Sequence, residues 1–282
     1  MAFLALVAGL AALAILGVAV RMSRRPVGRA QLETFARRQR LTITVANGPL
    51  VLRSLSLTRS WRMLGLWSGI VWGFLWALQD AAITLDFTSA FLGWFVGAVI
   101  AEWRIAGLPR ADDRRAASLE RRTVSGYLGS TARVVLAFAL VLLAGSSVAV
   151  LVLAGATDGA VAVPALVRIG ATCVGLVLVG LTLRRVATRP QPPTAPDLVA
   201  ADDALRARAT NVLAGSVIAA GGLPTAAMFE LIGSQIGGYG DTWASVGLVI
   251  MLLELVLGYA VATTASPVAR RPQLSDRAIT AR

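Results

Sequence analysis

A chain of 282 residues that is 56% hydrophobic and only 15% charged, with a mean hydropathy of +0.71, has too few polar side chains to clothe a water-soluble domain. Its formal net charge of +12 comes from 27 basic residues that are all arginine, and they stand in short clusters between apolar runs, which points to membrane topology and excludes a nucleic-acid partner. Having no lysine excludes a retinal Schiff base and a Walker-type phosphate loop, and having no histidine excludes Ser-His hydrolysis and histidine-ligated zinc or haem.

A membrane-crossing helix needs about 20 mainly apolar residues. Seven stretches qualify, at residues 2–20, 63–79, 84–102, 134–155, 162–183, 211–234 and 243–263, so the expected fold is all-α, a polytopic transmembrane helix bundle. With residues 21–62, 103–133, 184–210 and 264–282 placed in the cytoplasm, 26 of the 27 arginines fall on that side. The exception is Arg168, and the positive-inside rule then gives an N-out, C-in chain of the cell membrane. The first stretch is followed, not preceded, by Arg21, Arg24 and Arg25, which favours a retained helix over a secretory signal.

Residues 21–62 form the longest expected cytoplasmic segment. Leu41 to Val45 alternates as a short extended piece does, and Asn47-Gly48-Pro49 reads as a helix start with Asn47 as cap, or else as a hairpin. From Leu50 to Arg62 an amphipathic helix is expected on the inner surface, with Arg53, Arg59 and Arg62 meeting anionic lipid headgroups. Trp61, Trp67 and Trp103 then mark the inner interface and Trp243 the outer one.

The second span carries Gly65, Gly69 and Gly73 at four-residue spacing, and the third carries Gly93, Gly97 and Ala101. Small residues on one face let membrane helices approach closely, so these two spans are expected to pair as a hairpin; self-association through the same face is the alternative. Further along, Ala111-Asp112-Asp113 and Ala201-Asp202-Asp203 each precede two spans, hinting at repeated two-helix units, and Pro190 to Pro196 reads as a stiff linker. The lone Cys173, inside an apolar run, is expected to be a small packing residue, with no disulfide and no cofactor implied.

In the Asn47-Gly48-Pro49 segment leading to Trp61-Arg62, and in the Arg115-Ala116-Ala117-Ser118-Leu119 loop leading to Tyr127, the chain resembles uncharacterised multi-pass integral membrane proteins of high-GC Gram-positive bacteria. The resemblance covers about the first half of the chain and implies no activity.

Ionisable groups inside a membrane are costly and mark function by default. Asp86, Arg168, Glu230 and Glu254 qualify, although Asp86 lies close enough to the outer surface to be hydrated. Arg168 and Glu230 either pair in the outer half or snorkel separately. Glu254 follows an unbroken apolar run from Val246 to Leu253, and counting the helical rise puts it level with Gly221-Gly222-Leu223-Pro224. Pro224 is expected to break the sixth span there, as in transporter midplane sites, unless neighbouring helices or Thr225 fill the gap. Gly238-Tyr239-Gly240-Asp241 matches a short motif of intramembrane aspartyl enzymes, though a glycine-rich turn explains it as well. Two functions are foremost in this pattern, with an intramembrane aspartyl-type enzyme using Asp241 a distant third. One is a transport-related protein, a small permease or the membrane subunit of a complex; the other is a non-catalytic scaffold that gathers lipid or protein subunits.

Overall fold

The computed structural model describes residues 14, 17, 18, 20–22, 26–77, 87–106, 123–155, 162–189, 195–235 and 240–264. Among these, the regular elements from Arg29 onward are helices: α1 (Arg29–Gln39), α2 (Gly48–Ala77), α3 (Phe87–Ala106), α4 (Val124–Tyr127), α5 (Ser130–Gly155), α6 (Ala162–Thr188), α7 (Pro196–Gln235) and α8 (Gly240–Thr263). Five are long and apolar enough to cross a membrane, through Thr88–Ala106, Ser130–Leu153, Ala165–Thr188, Pro196–Gly233 and Thr242–Thr263. The expected second span occupies the latter part of α2, and nearly all of the expected first span lies outside the described residues, as do Asp86, the Arg115 to Leu119 loop and Pro190 to Pro193.

The surface of the bundle suits lipid and not water. Val141, Val148 and Val152 on α5, Val167, Val174 and Val177 on α6, and Val249 and Val256 on α8 are each 60% or more exposed. Recurring at helical spacing, they form apolar stripes far too continuous for an aqueous surface. The chain is therefore an all-helical, multi-pass membrane protein, and the cell membrane is where such a protein belongs. Cys173 joins this outward surface and is exposed, so it is not the packing residue expected of it.

α7 is the central helix: 61% of its span is buried, against 33% or less in the other four. It packs against α2, α3, α4, α5, α6 and α8. Two features of α7 depart from the sequence reading. Residues 196–210, expected as cytoplasmic loop and linker, are its first turns, because Pro196 sits where a helix start tolerates a missing N–H and the Ala195 carbonyl accepts from Leu198 and Val199. The expected break at Gly221 to Pro224 is absent, and the helix runs 40 residues through Pro224. A single proline deletes one backbone bond, and neighbouring helices on both sides hold the remainder in line.

α2 is likewise one 30-residue helix from Gly48 to Ala77, so the expected interfacial helix at 50–62 is its first half and not a separate element. Nothing after Pro49 in that stretch breaks a helix. Asn47 opens it through its carbonyl, which accepts from Val51, while its buried side chain turns backwards, accepting from Thr44 N and donating to Thr42 O. The Asn47 side chain thus fixes the preceding turn instead of capping the helix, and Leu41 to Thr44 forms no strand.

α2 and α3 form an antiparallel pair through glycine. A Cβ placed on Gly65 would strike the Gly93 carbonyl, one on Gly69 the Ser89 carbonyl, and one on Gly97 the Trp61 carbonyl. Gly73 continues the buried face, whereas Trp72 and Trp76 are exposed on the opposite one. These glycines are spent inside the hairpin, which leaves their face unavailable for self-association. The pairing predicts that Gly69→Leu lowers stability by at least ~2–3 kcal/mol, read as thermal unfolding in detergent, whereas Gly175→Leu, on a face with nothing within 4 Å of the new Cβ, leaves the midpoint unchanged.

Candidate functional site

The α7–α8 pair repeats the glycine solution with one polar exception. Gly247, Met251, Glu254 and Gly258 lie on one face of α8 at spacings of four, three and four, and oppose Gly215, Ala219, Gly222 and Ala226 of α7. Gly258 and Gly215 each lie where a Cβ would meet the other's carbonyl, and Gly247 rests on Ala226. Glu254 is therefore carried into the interface by the same register that brings the glycines together.

Glu254 is 2% exposed, and neither carboxylate oxygen has a hydrogen-bond partner. Its Oε2 sits 3.2 Å from the position of a Cβ on Gly222 and 3.5 Å from one on Gly221, so any side chain at Gly222 would press on the carboxylate. Thr225 shares that face of α7; it is fully buried, and its Oγ1 is also without a partner. The hydroxyl therefore does not satisfy the Ala220 carbonyl that Pro224 leaves without its usual donor. An ionised carboxylate with no donor or cation beside it in an apolar interior costs several kcal/mol. This group either keeps its proton or takes up a cation.

Arg168 and Glu230 are both exposed, and no ion pair joins them, so they do not form the outer-half bridge that was one of the two expectations. The Asp241 side chain, with Gly238 and Tyr239, lies outside the described residues. Among the described residues no three His, Cys, Asp or Glu side chains converge as a metal site would require.

A second polar centre, absent from the sequence reading, gathers where α2, α3, α6 and α7 carry their arginines. Asp202 is held between two guanidinium groups, with Arg189 Nη2 at 2.7 Å from Oδ1 and Arg206 Nη2 at 2.6 Å from Oδ2, all three side chains being 4% exposed or less. Arg206 also donates to the Ala187 carbonyl at 2.9 Å, which satisfies the open C-terminal end of α6. Tyr127 donates to Asp203, Trp103 to Thr182 and Asn211 to the Thr264 carbonyl, so α7, α4, α3, α6 and α8 are stitched together at one level. Glu102 of α3 is buried among Arg62, Arg189 and Arg208. The i,i+4 spacing of Asp202 and Arg206 was visible in the sequence; the partners Arg189 and Glu102 come from distant segments and leave no local signal.

No protein-family model, curated protein or solved structure matches this chain. What it does has to be argued from these two centres.

Removing the shared acid tests the second of them. Asp202→Ala strands Arg189 and Arg206 as buried, uncompensated charges and is expected to cost ~3–5 kcal/mol, measured as a lowered thermal midpoint; removing Glu33, which pairs with Arg29 on the surface, changes stability by under about 1 kcal/mol.

Proposed function

We propose that this chain is a transport-related protein of the cell membrane, a small permease or the membrane subunit of a complex, in which Glu254 is the proton- or cation-carrying group. One observation carries the reading: a carboxylate buried in a membrane-spanning helix pair with both oxygens unpartnered, set against bare glycine backbone. A purely structural role at this position is served better by an apolar or small side chain, like those before and after it on α8. An acid retained here is the kind of group that coupled transporters load and unload near the midplane. With no Walker-type ATP-binding loop possible in a sequence without lysine, flux is driven by an ion gradient or by an energised partner subunit.

The finer topology belongs to the same proposal. Seven spans, N-out and C-in, are supported by the arginine distribution, with residues 2–20 as the first span and the latter half of α2 as the second. The arginine-rich ends of α2, α6 and α7 then face the cytoplasm and anionic inner-leaflet lipids. Kinship with multi-pass proteins of high-GC Gram-positive bacteria is part of this reading and adds no activity to it.

A membrane scaffold is the second reading, favoured by the closeness of the α7–α8 contact, which leaves Glu254 enclosed as a static packing element would be. The two readings differ on flux. In vesicles with an internal pH-sensitive dye, Glu254→Gln, a neutral isostere, is expected to keep the thermal midpoint and reduce ion or proton flux at least about tenfold. Equal flux in both proteins, or none in the wild type, assigns the scaffold role instead.

A further inference from the structure

Between α1, the first half of α2 and the last turn of α8 lies a cavity of about 660 Å³. Four arginines line it, Arg38, Arg59, Arg62 and Arg208, and no Asp or Glu among the described residues does. The like charges are near neighbours: Arg208 feels the repulsion of both Arg38 and Arg62. Behind the wall, the single carboxylate of Glu102 acts on Arg62 and Arg208. Among the described residues, four guanidinium groups against one carboxylate leave three positive charges without a counter-charge. Assembling such a set at the edge of a bilayer is unfavourable unless an anion joins it.

The guanidinium groups are also oriented and not merely collected. Arg62 lies over the Trp94 ring at 5.1 Å and Arg208 over the Phe35 ring at 5.7 Å, both rings lining the cavity. Arg59 is steadied by donating to the Pro26 carbonyl at 3.3 Å. Two buried polar atoms have no hydrogen-bond partner, the donor Arg62 Nε and the acceptor Gln39 Oε1, and Gln39 is only 7% exposed. A ligand that accepts from arginine and also donates from a hydroxyl answers both. The volume lies within the range of about 300–1,000 Å³ typical of sites for organic ligands, larger than a bare oxyanion requires. The aromatic walls suit the organic remainder.

We propose that this cavity binds a phosphate-bearing anion, its phosphate accepting from Arg62, Arg38 and Arg208 and a hydroxyl of its organic group donating to Gln39. Two sources share that chemistry: the phosphodiester of an anionic phospholipid with a hydroxylated headgroup, and a phosphomonoester from solution. Ala262, Thr263 and Thr264 also line the cavity, at the end of the apolar span Thr242–Thr263, which is the level at which a span meets headgroups and water. The proposal rests on the cavity alone and is independent of the role given to Glu254.

The test uses the full-length chain, delipidated in detergent, with two ligand arms. One titrates phosphatidylglycerol against phosphatidylcholine by native mass spectrometry; the other titrates inorganic phosphate against chloride at matched ionic strength by thermal shift. The variant is Arg38→Gln with Arg59→Gln, which leaves the Arg62–Glu102–Arg208 cluster intact, and the surface control is Arg29→Gln, exposed on α1 and outside the cavity. Losing the Arg38 contact together with the positive charge of Arg59 is expected to weaken binding on the order of tenfold or more, with the control unchanged. Loss confined to phosphatidylglycerol assigns the lipid, and loss confined to inorganic phosphate assigns a soluble ligand. If the double variant fails to fold, Arg38→Gln alone, with its exposed side chain, carries the comparison. Absence of binding in both arms, or equal weakening by Arg29→Gln, overturns the proposal.

Discussion

Helices in lipid gain nothing by hiding apolar surface from one another, because the surrounding chains are as apolar as they are; what holds them is backbone brought against backbone. This chain meets that constraint twice, in α2–α3 through Gly65, Gly69, Gly93 and Gly97, and in α7–α8 through Gly215, Gly222, Gly247 and Gly258. Much else follows from it. The large side chains, displaced from the contacts, form the valine and tryptophan stripes that meet lipid, and the one acid in the α7–α8 seam lies against a surface with no side chain to partner it.

The start and the middle of α7 solve the problem of polarity in opposite ways. Toward its start, Asp202 and Arg206 are buried but paired with opposite charge, and Arg206 also meets the carbonyls that finish α6. Such a network contributes little net stability over an apolar core, but breaking any member is costly, so it specifies which helices meet and in what register. Toward the middle of α7, the Glu254 carboxylate and the Thr225 hydroxyl have no such partners. The charged end fixes the architecture, and the sparsely polar middle holds the group that the architecture does not need.

Much of the bundle was legible because its signals are local. Apolar runs of about 20 residues mark α3, α5, α6 and α8, and small residues at four-residue spacing mark the α2–α3 face. Counting the helical rise along the chain is enough to set Glu254 level with Gly221 and Gly222. The start of α2 was legible as a helix at Asn47-Gly48-Pro49, but Arg53, Arg59 and Arg62 set it apart from the second span, with which it is continuous; Asp202, Asp203 and Arg206 at the start of α7 read as loop by hydropathy, and only their tertiary partners show that helix continues through them. Pro224 misled in the opposite direction, because a residue that ends an isolated helix is tolerated where neighbours grip both sides. The basic cavity was invisible for a related reason, since Arg38, Arg62 and Arg208 come from three helices whose meeting no periodicity announces.

The length of α7 has a mechanical consequence. At about 1.5 Å per residue, its 40 residues make a rod of about 60 Å, twice the thickness of a hydrocarbon core. Gly222, against the buried acid, and Arg208, on the wall of the basic cavity, lie on this one rod about 20 Å apart, with no break in the helix between them. A lever without a joint does not move at one end only: a tilt of about 5° that loosens the glycine contact displaces the arginine by about 2 Å, nearly the length of a hydrogen bond. The wall of the basic cavity and the glycine contact around the carboxylate therefore stand on one continuous helix.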